Sequence, residues 1–117
     1  MAKDDYHVIV YQILSYLYTQ LKAGNKIDID RISSENQYFI INEKYWEYII
    51  MNLHKDGLIY GLTIKETRDV TGVVRISINN LDQCQITPKG IEYLTDNSFM
   101  SKAKEFFKDA KSIVPFI

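Results

Sequence analysis

Between Asp5 and Ala23 the chain places Val8, Ile9, Val10, Ile13, Leu14, Leu17 and Leu21, with Tyr11, Tyr16 and Tyr18, almost all the way around one helix. Asp5 is placed to cap its start by accepting from free backbone N–H groups, and Gly24 to end it in the left-handed conformation. A helix apolar on most sides has to be covered on most sides. A chain of 117 residues supports one core, so the pattern demands either a second helix against the first or a partner subunit.

The next elements are shorter. Lys26–Ile29 alternates and reads as a brief strand, and Asp30 then caps a short helix from Arg31 to about Gln37, with Ile32 facing inward. A connector, Tyr38–Ile41, leads to Asn42, a good cap for a helix that runs to about Lys55 and stops at Gly57. Ile41 and Trp46 are spaced as a hydrophobic staple. On this third helix Trp46, Ile49, Ile50 and Leu53 share one face and belong in the core. Lys44, Tyr48, Met51 and Lys55 fall on the opposite face, with Glu47 and Asn52 at its edges.

Leu58–Glu66 and Val73–Asn79 alternate with period two, Leu58, Tyr60, Leu62 and Ile64 pointing one way on the first, Val74, Ile76 and Ile78 on the second. The polar stretch Thr67–Gly72 between them makes the pair a hairpin with an exposed tip. Thr87 then caps and Pro88 opens a helix to about Leu94, and Asp96, Asn97 and Ser98 interrupt it. A last helix spans about Phe99 to Ile113, with Met100, Ala103, Phe107, Ala110 and Val114 recurring at spacings of three and four. That seam either packs back on the first helix, for which Ser98 permits a tight reversal, or joins a second subunit as a homodimer through Met100, Ala103, Phe107 and Ala110. The apolar residues Ile113, Val114, Phe116 and Ile117 also call for docking. No linker or repeat divides the chain, which reads as one α+β domain over 1–117, its core at about 5–96 and a C-terminal helix at about 99–113.

The order helix, short strand, helix, helix, hairpin, helix is that of a winged helix-turn-helix. Leu53-His54-Lys55-Asp56-Gly57-Leu58-Ile59 looks like the end of a recognition helix entering the first wing strand. Ile86-Thr87-Pro88-Lys89-Gly90-Ile91-Glu92-Tyr93-Leu94 resembles the segment that follows the wing in many bacterial winged-helix proteins. The whole layout resembles the YjcQ family, small winged-helix proteins of Gram-positive bacteria and their phages. The resemblance implies that fold and a phage or prophage association, and brings no catalytic residue with it.

Enzymatic readings fail on inventory. His7 and His54 lie on different helices without an acidic or nucleophilic companion, the five glycines form no phosphate loop, and Cys84 has no base beside it. A lone cysteine excludes an internal disulfide and a cysteine zinc cluster, so neither metal nor cofactor is expected, and a reducing cytoplasm is the expected compartment. No apolar run approaches the roughly 20 residues a bilayer needs, and no secretory leader is read at the start.

Binding is what remains. In a winged helix the third helix enters the major groove and the wing contacts the backbone. Lys44 and Lys55 could meet guanine or phosphate, Asn52 adenine and Tyr48 phosphate, while Lys65, Arg68 and Arg75 around the hairpin could meet phosphates. Charge argues the other way. From Asn42 to Asp56 two lysines face Glu43, Glu47 and Asp56, and the whole chain carries a net −1. The basic field that drives phosphate binding is missing, although the last helix, with Lys102, Lys104, Lys108 and Lys111 against Glu105 and Asp109, is locally basic. Tyr48 and Met51 together suit a protein interface. The expectation is a DNA-associated accessory or regulatory module of phage type. Its alternative is an adaptor that binds protein through the same helix face.

Overall fold

In the computed structural model, which describes residues 5–36 and 39–109, every residue from Val8 to Leu17 of helix α1 (Tyr6–Ala23) is buried. The cover comes from the chain itself. Helix α3 (Pro88–Asp96), helix α4 (Ser98–Asp109) and strand β4 (Gln85–Ile86) pack against α1, and Ile49, Ile50 and Leu53 of helix α2 (Glu43–Lys55) join the same core. Helix α4 runs beside α1 in the same sense. Phe99 stacks on His7 with ring centroids 4.2 Å apart, and Phe107 on Tyr11 at 5.7 Å. Met100, Ala103 and Phe107 are therefore turned into the chain's own core, and α4 is part of that core, not an appendage to it. Ala110, Val114 and the apolar residues after them lie outside the described residues.

Gly24 ends α1 in the left-handed region at φ 70°, its N–H meeting the carbonyls of Gln20 and Leu21. Asp5 precedes the helix as expected, but its side chain makes no cap bond; its backbone carbonyl accepts from Ile9 N at 3.0 Å.

The next stretch departs from expectation twice. Lys26–Ile29 forms no strand. Side chains of α1 take its backbone groups instead: the Tyr16 hydroxyl accepts from Asp28 N at 2.7 Å, and Gln20 Nε2 donates to the Lys26 carbonyl at 3.1 Å. The helix expected over Arg31–Gln37 is a single 3₁₀ turn, Ile29–Arg31, capped by Asp28 and not Asp30. The chain then makes a tight reversal in which Glu35 bridges Ile40. Short polar side chains brace it. Ser33 Oγ donates to the Glu35 carbonyl at 3.0 Å, and Asn36 Oδ1 accepts from Phe39 N at 3.1 Å, bonds that compete with helix formation. Gln37 lies outside the described residues.

Of the two strands read from the sequence, Val73–Asn79 forms nearly as expected and pairs in the hairpin, whereas Leu58–Glu66 is divided in two, giving two separate antiparallel pairs. Strand β1 (Ile59–Tyr60) pairs with β4, and β2 (Thr63–Arg68) with β3 (Val74–Asn79). Gly61, at φ 97°, breaks the first run, because a Cβ there would strike the Gln83 carbonyl. The break shifts the side-chain parity, so that Ile59 is buried opposite Ile86 and Tyr60 turns outward, donating to Gln85 Oε1 at 2.6 Å. Tyr60 is thus not the core residue its alternation suggested.

The two stretches that resembled winged-helix segments are joined physically. Thr87 N donates to the Leu58 carbonyl at 3.0 Å, and the Thr87 hydroxyl donates to the Gly57 carbonyl while accepting from Gly90 N at 2.9 Å. The end of α2 and the start of α3 are one junction. Asn97 alone separates α3 from α4, and its Oδ1 accepts from Phe99 N and Met100 N.

Candidate functional site

The outward face of α2 is set by the residues anchored on its inward face. Asn42 Oδ1 accepts from Lys44 N at 2.8 Å and sets the start of the helix. Ile49, Ile50 and Leu53 are buried, and half-buried Trp46 is pinned by its Nε1 donating to the Ile32 carbonyl at 2.7 Å. Helical spacing then leaves Lys44, Glu47, Tyr48 and Met51 as one stripe on the other side. That stripe is one wall of a groove of about 660 Å³, and Val73, Val74, Arg75 and Ile76 form the other.

Around the groove apolar side chains face water. Tyr48 is 59% exposed, Val73 52%, Val74 40%, and Val70 at the hairpin tip is fully exposed. The tip itself is ordered. Asp69 Oδ1 accepts from Thr71 N at 2.8 Å, from Val73 N at 3.0 Å and from the Thr71 hydroxyl, and Gly72 turns the chain at φ 86°. The Thr71 hydroxyl bond, followed by the Val73 amide, holds the Asp69 carboxyl below its ordinary pKa.

On its other side Tyr48, a groove residue, begins an aromatic row. The Tyr48 ring meets Tyr6 edge-on at 6.4 Å, Tyr6 meets His7 at 5.3 Å, and His7 stacks on Phe99. Burial, then the neighbouring Tyr93, Asp56, Tyr48 and Tyr45, pushes the Tyr6 hydroxyl up to about 12. Burial, then Asp56, raises Tyr93 as well. These hydroxyls stay protonated at neutral pH and can offer hydrogen bonds, not bases. Cys84 is buried, and its burial pushes the thiol up to about 12, the opposite of what a nucleophile requires. Among the described residues no cluster of three or more His, Cys, Asp or Glu could hold a metal ion, and no helix is long and apolar enough to cross a membrane.

Residues 11–113 match the family model described as YjcQ protein. The chain belongs to the YjcQ family. No curated protein and no solved structure matches it. The YjcQ match spans the groove and the junction between α2 and α3.

Of the residues singled out from the sequence, the fold brings Lys44, Tyr48, Met51 and Arg75 together in the groove, and adds Glu47. It does not bring the others there. Asn52 is half-buried and its amide donates to the Tyr48 carbonyl at 2.7 Å, back within its own helix. Lys55 is exposed in the last turn of α2. The hairpin register, Lys65↔Ser77, Thr67↔Arg75 and Arg68↔Val74, puts Lys65 and Arg75 on one face and Arg68 on the other. The three hairpin cations therefore form no single patch. Sequence reasoning missed Val70, because the tip Thr67–Gly72 was read as polar, and Val73, which was read only as the start of a strand; the signal was an apolar residue between Asp69 and Thr71 and two more directly after Gly72.

Proposed function

We propose that this chain is a non-enzymatic binding module, a reduced winged helix whose α2 and β2–β3 hairpin together engage a partner protein. The fold part of the reading is supported by the element order from α2 through the hairpin to α3, with a 3₁₀ turn standing where the second helix of a full winged helix would be. The observation that carries the function is the exposure of Val73, Val74 and Tyr48 on one groove, with Val70 exposed at the hairpin tip beyond it. A wing that grips DNA gathers cations for phosphates; this one splits Arg68 from Lys65 and Arg75 on its two faces and exposes valines beside them. Contiguous apolar surface held in water marks an interaction site, and aromatic residues and Met are enriched in interface cores. Glu43 and Glu47 on the same helix repel phosphate.

Lys44 and Lys55, both exposed on α2, favour DNA as a second reading, and one measurement separates the two. Fluorescence anisotropy with random-sequence duplex DNA at about 50 mM salt should show no saturable binding, whereas affinity that falls steeply with added salt gives the surface to DNA. On that outcome Lys44→Glu combined with Arg68→Glu should weaken the affinity without lowering the melting temperature. A photo-crosslinking residue replacing Tyr48 or Val73 in cells should give a discrete protein adduct, and one replacing exposed Asp82 should not. Equal adducts from all three positions overturn the protein reading.

A further inference from the structure

The β2–β3 sheet has two strands, so each strand has one unpaired edge among the described residues. Which backbone groups face that edge on β3 is fixed by the register. Asp69 N donates to the Val73 carbonyl at 3.0 Å, so Val73 points its backbone polar groups at the neighbouring strand, and by the alternation of an antiparallel ladder Arg75 and Ser77 do the same. Val74 and Ile76 then direct their N–H and C=O groups away from β2, to the free edge.

That edge opens into the groove. Four consecutive residues, Val73 to Ile76, line it. A groove lying on a sheet face would be lined by alternate residues only, so this one runs along the backbone. Facing it across the gap are Lys44, Glu47, Tyr48 and Met51. An edge strand rich in valine and isoleucine, without proline, is a template for another strand unless it is blocked. Here a helix flanks the edge without pairing with it.

Resting on the protein-binding reading above, we propose that the free edge of β3 takes an extended, acidic segment of a partner protein as an added strand. The outward amides and carbonyls of Val74 and Ile76 pair with its backbone, and its alternate apolar side chains seat against Tyr48 and Met51. This is strand addition in a helix-flanked groove. The acidic character comes from the lining, where Lys44 and Arg75 outnumber Glu47.

The probe is a fluorescein-labelled nine-residue peptide that alternates valine with glutamate and threonine, titrated with the full chain. Saturable binding is expected, and N-methylation of the peptide amides of one parity should weaken it about tenfold, whereas methylation of the other parity leaves it unchanged. Val74→Pro removes an outward N–H and crowds the incoming strand, yet leaves the β2–β3 bonds in place. It should abolish binding at an unchanged melting temperature; if instead it unfolds the hairpin, the two methylated peptides on the unsubstituted protein decide alone. Equal weakening by both parities overturns strand addition while leaving side-chain docking, and so the broader reading, intact. Absence of peptide binding also overturns it, and the crosslinks at positions 48 and 73 then judge the broader reading separately. Self-association of the chain that Val74→Pro abolishes, without peptide binding, gives the edge to a second copy and overturns the acidic partner.

Discussion

Gly90 carries no side chain because no room exists for one. A Cβ at that position would run into the Leu58 carbonyl and lie 2.7 Å from Ile86 Cγ1. The close approach is what allows Thr87 to bond both Gly57 and Gly90 and so to lock the end of α2 to the start of α3. Gly90→Ala must therefore push backbone against backbone, and overpacking of this kind costs about 1–3 kcal/mol. Urea denaturation should show that loss at an unchanged m-value, and a midpoint within error of the parent would mean that α3 can slide away at no cost. The caps Asn42 and Thr87 and the stop at Gly24 were legible in the sequence because each acts through its immediate neighbours; Gly90 was legible only as part of a familiar segment, since what excludes a side chain there is Leu58, far away in sequence. Tyr60 was not. Its side is set by the collision that a side chain at Gly61 would have with Gln83, more than twenty residues away, and no local alternation records that contact.

At the scale of elements the same division holds between local and distant causes. Helices α1 and α2 were legible because their apolar faces repeat over several turns. The segment after Asp28 was not, since Ser33 and Asn36 draw backbone groups into a reversal that competes with a weak helix signal. The candidate site lies between these cases. Its helical wall could be read from period alone, but its strand wall required the hairpin register, which splits Arg68 from Lys65 and Arg75. The tip that presents Val70 and Val73 has its own dependence on pH. Asp69 accepts from Thr71 and Val73, bonds that only the ionised carboxylate makes fully, so its folded pKa is depressed. The order of the tip is then fully present above the unfolded value of about 3.9 and is lost as pH falls through the lower folded value. In an NMR titration the Thr71 and Val73 amides should shift with a midpoint below about 3.9, and Asp69→Asn should remove the transition. A midpoint at or above the unfolded value would show that the carboxylate does not hold the tip.

Over the whole molecule, burial is unevenly distributed, and the unevenness coincides with the candidate site. Helix α1 is enclosed by α3, α4 and β4, with Val8, Ile9, Val10, Ile13, Leu14 and Leu17 at or below 1% exposure. The β2–β3 hairpin contributes to that core only through half-buried Ile64 and Ile78, and most of its other side chains are exposed. A segment joined to the core by so little apolar area can open without unfolding the rest, whereas the middle of α1 can open only with it. Native-state hydrogen exchange should therefore divide the chain in two. Amides of Ile13 to Leu17 should exchange only through global unfolding, with a denaturant dependence equal to the equilibrium m-value. The ladder amides of β2 and β3 should exchange faster, through openings that denaturant barely affects. An occupant paired with the edge of β3 should slow exchange at Val74 and Ile76 far more than in α1, because those two amides face the free edge without a partner strand until the occupant's carbonyls accept from them. If the hairpin instead exchanges together with α1, it belongs to the cooperative core, and its valines are held in water by a rigid scaffold and not by a separately opening arm.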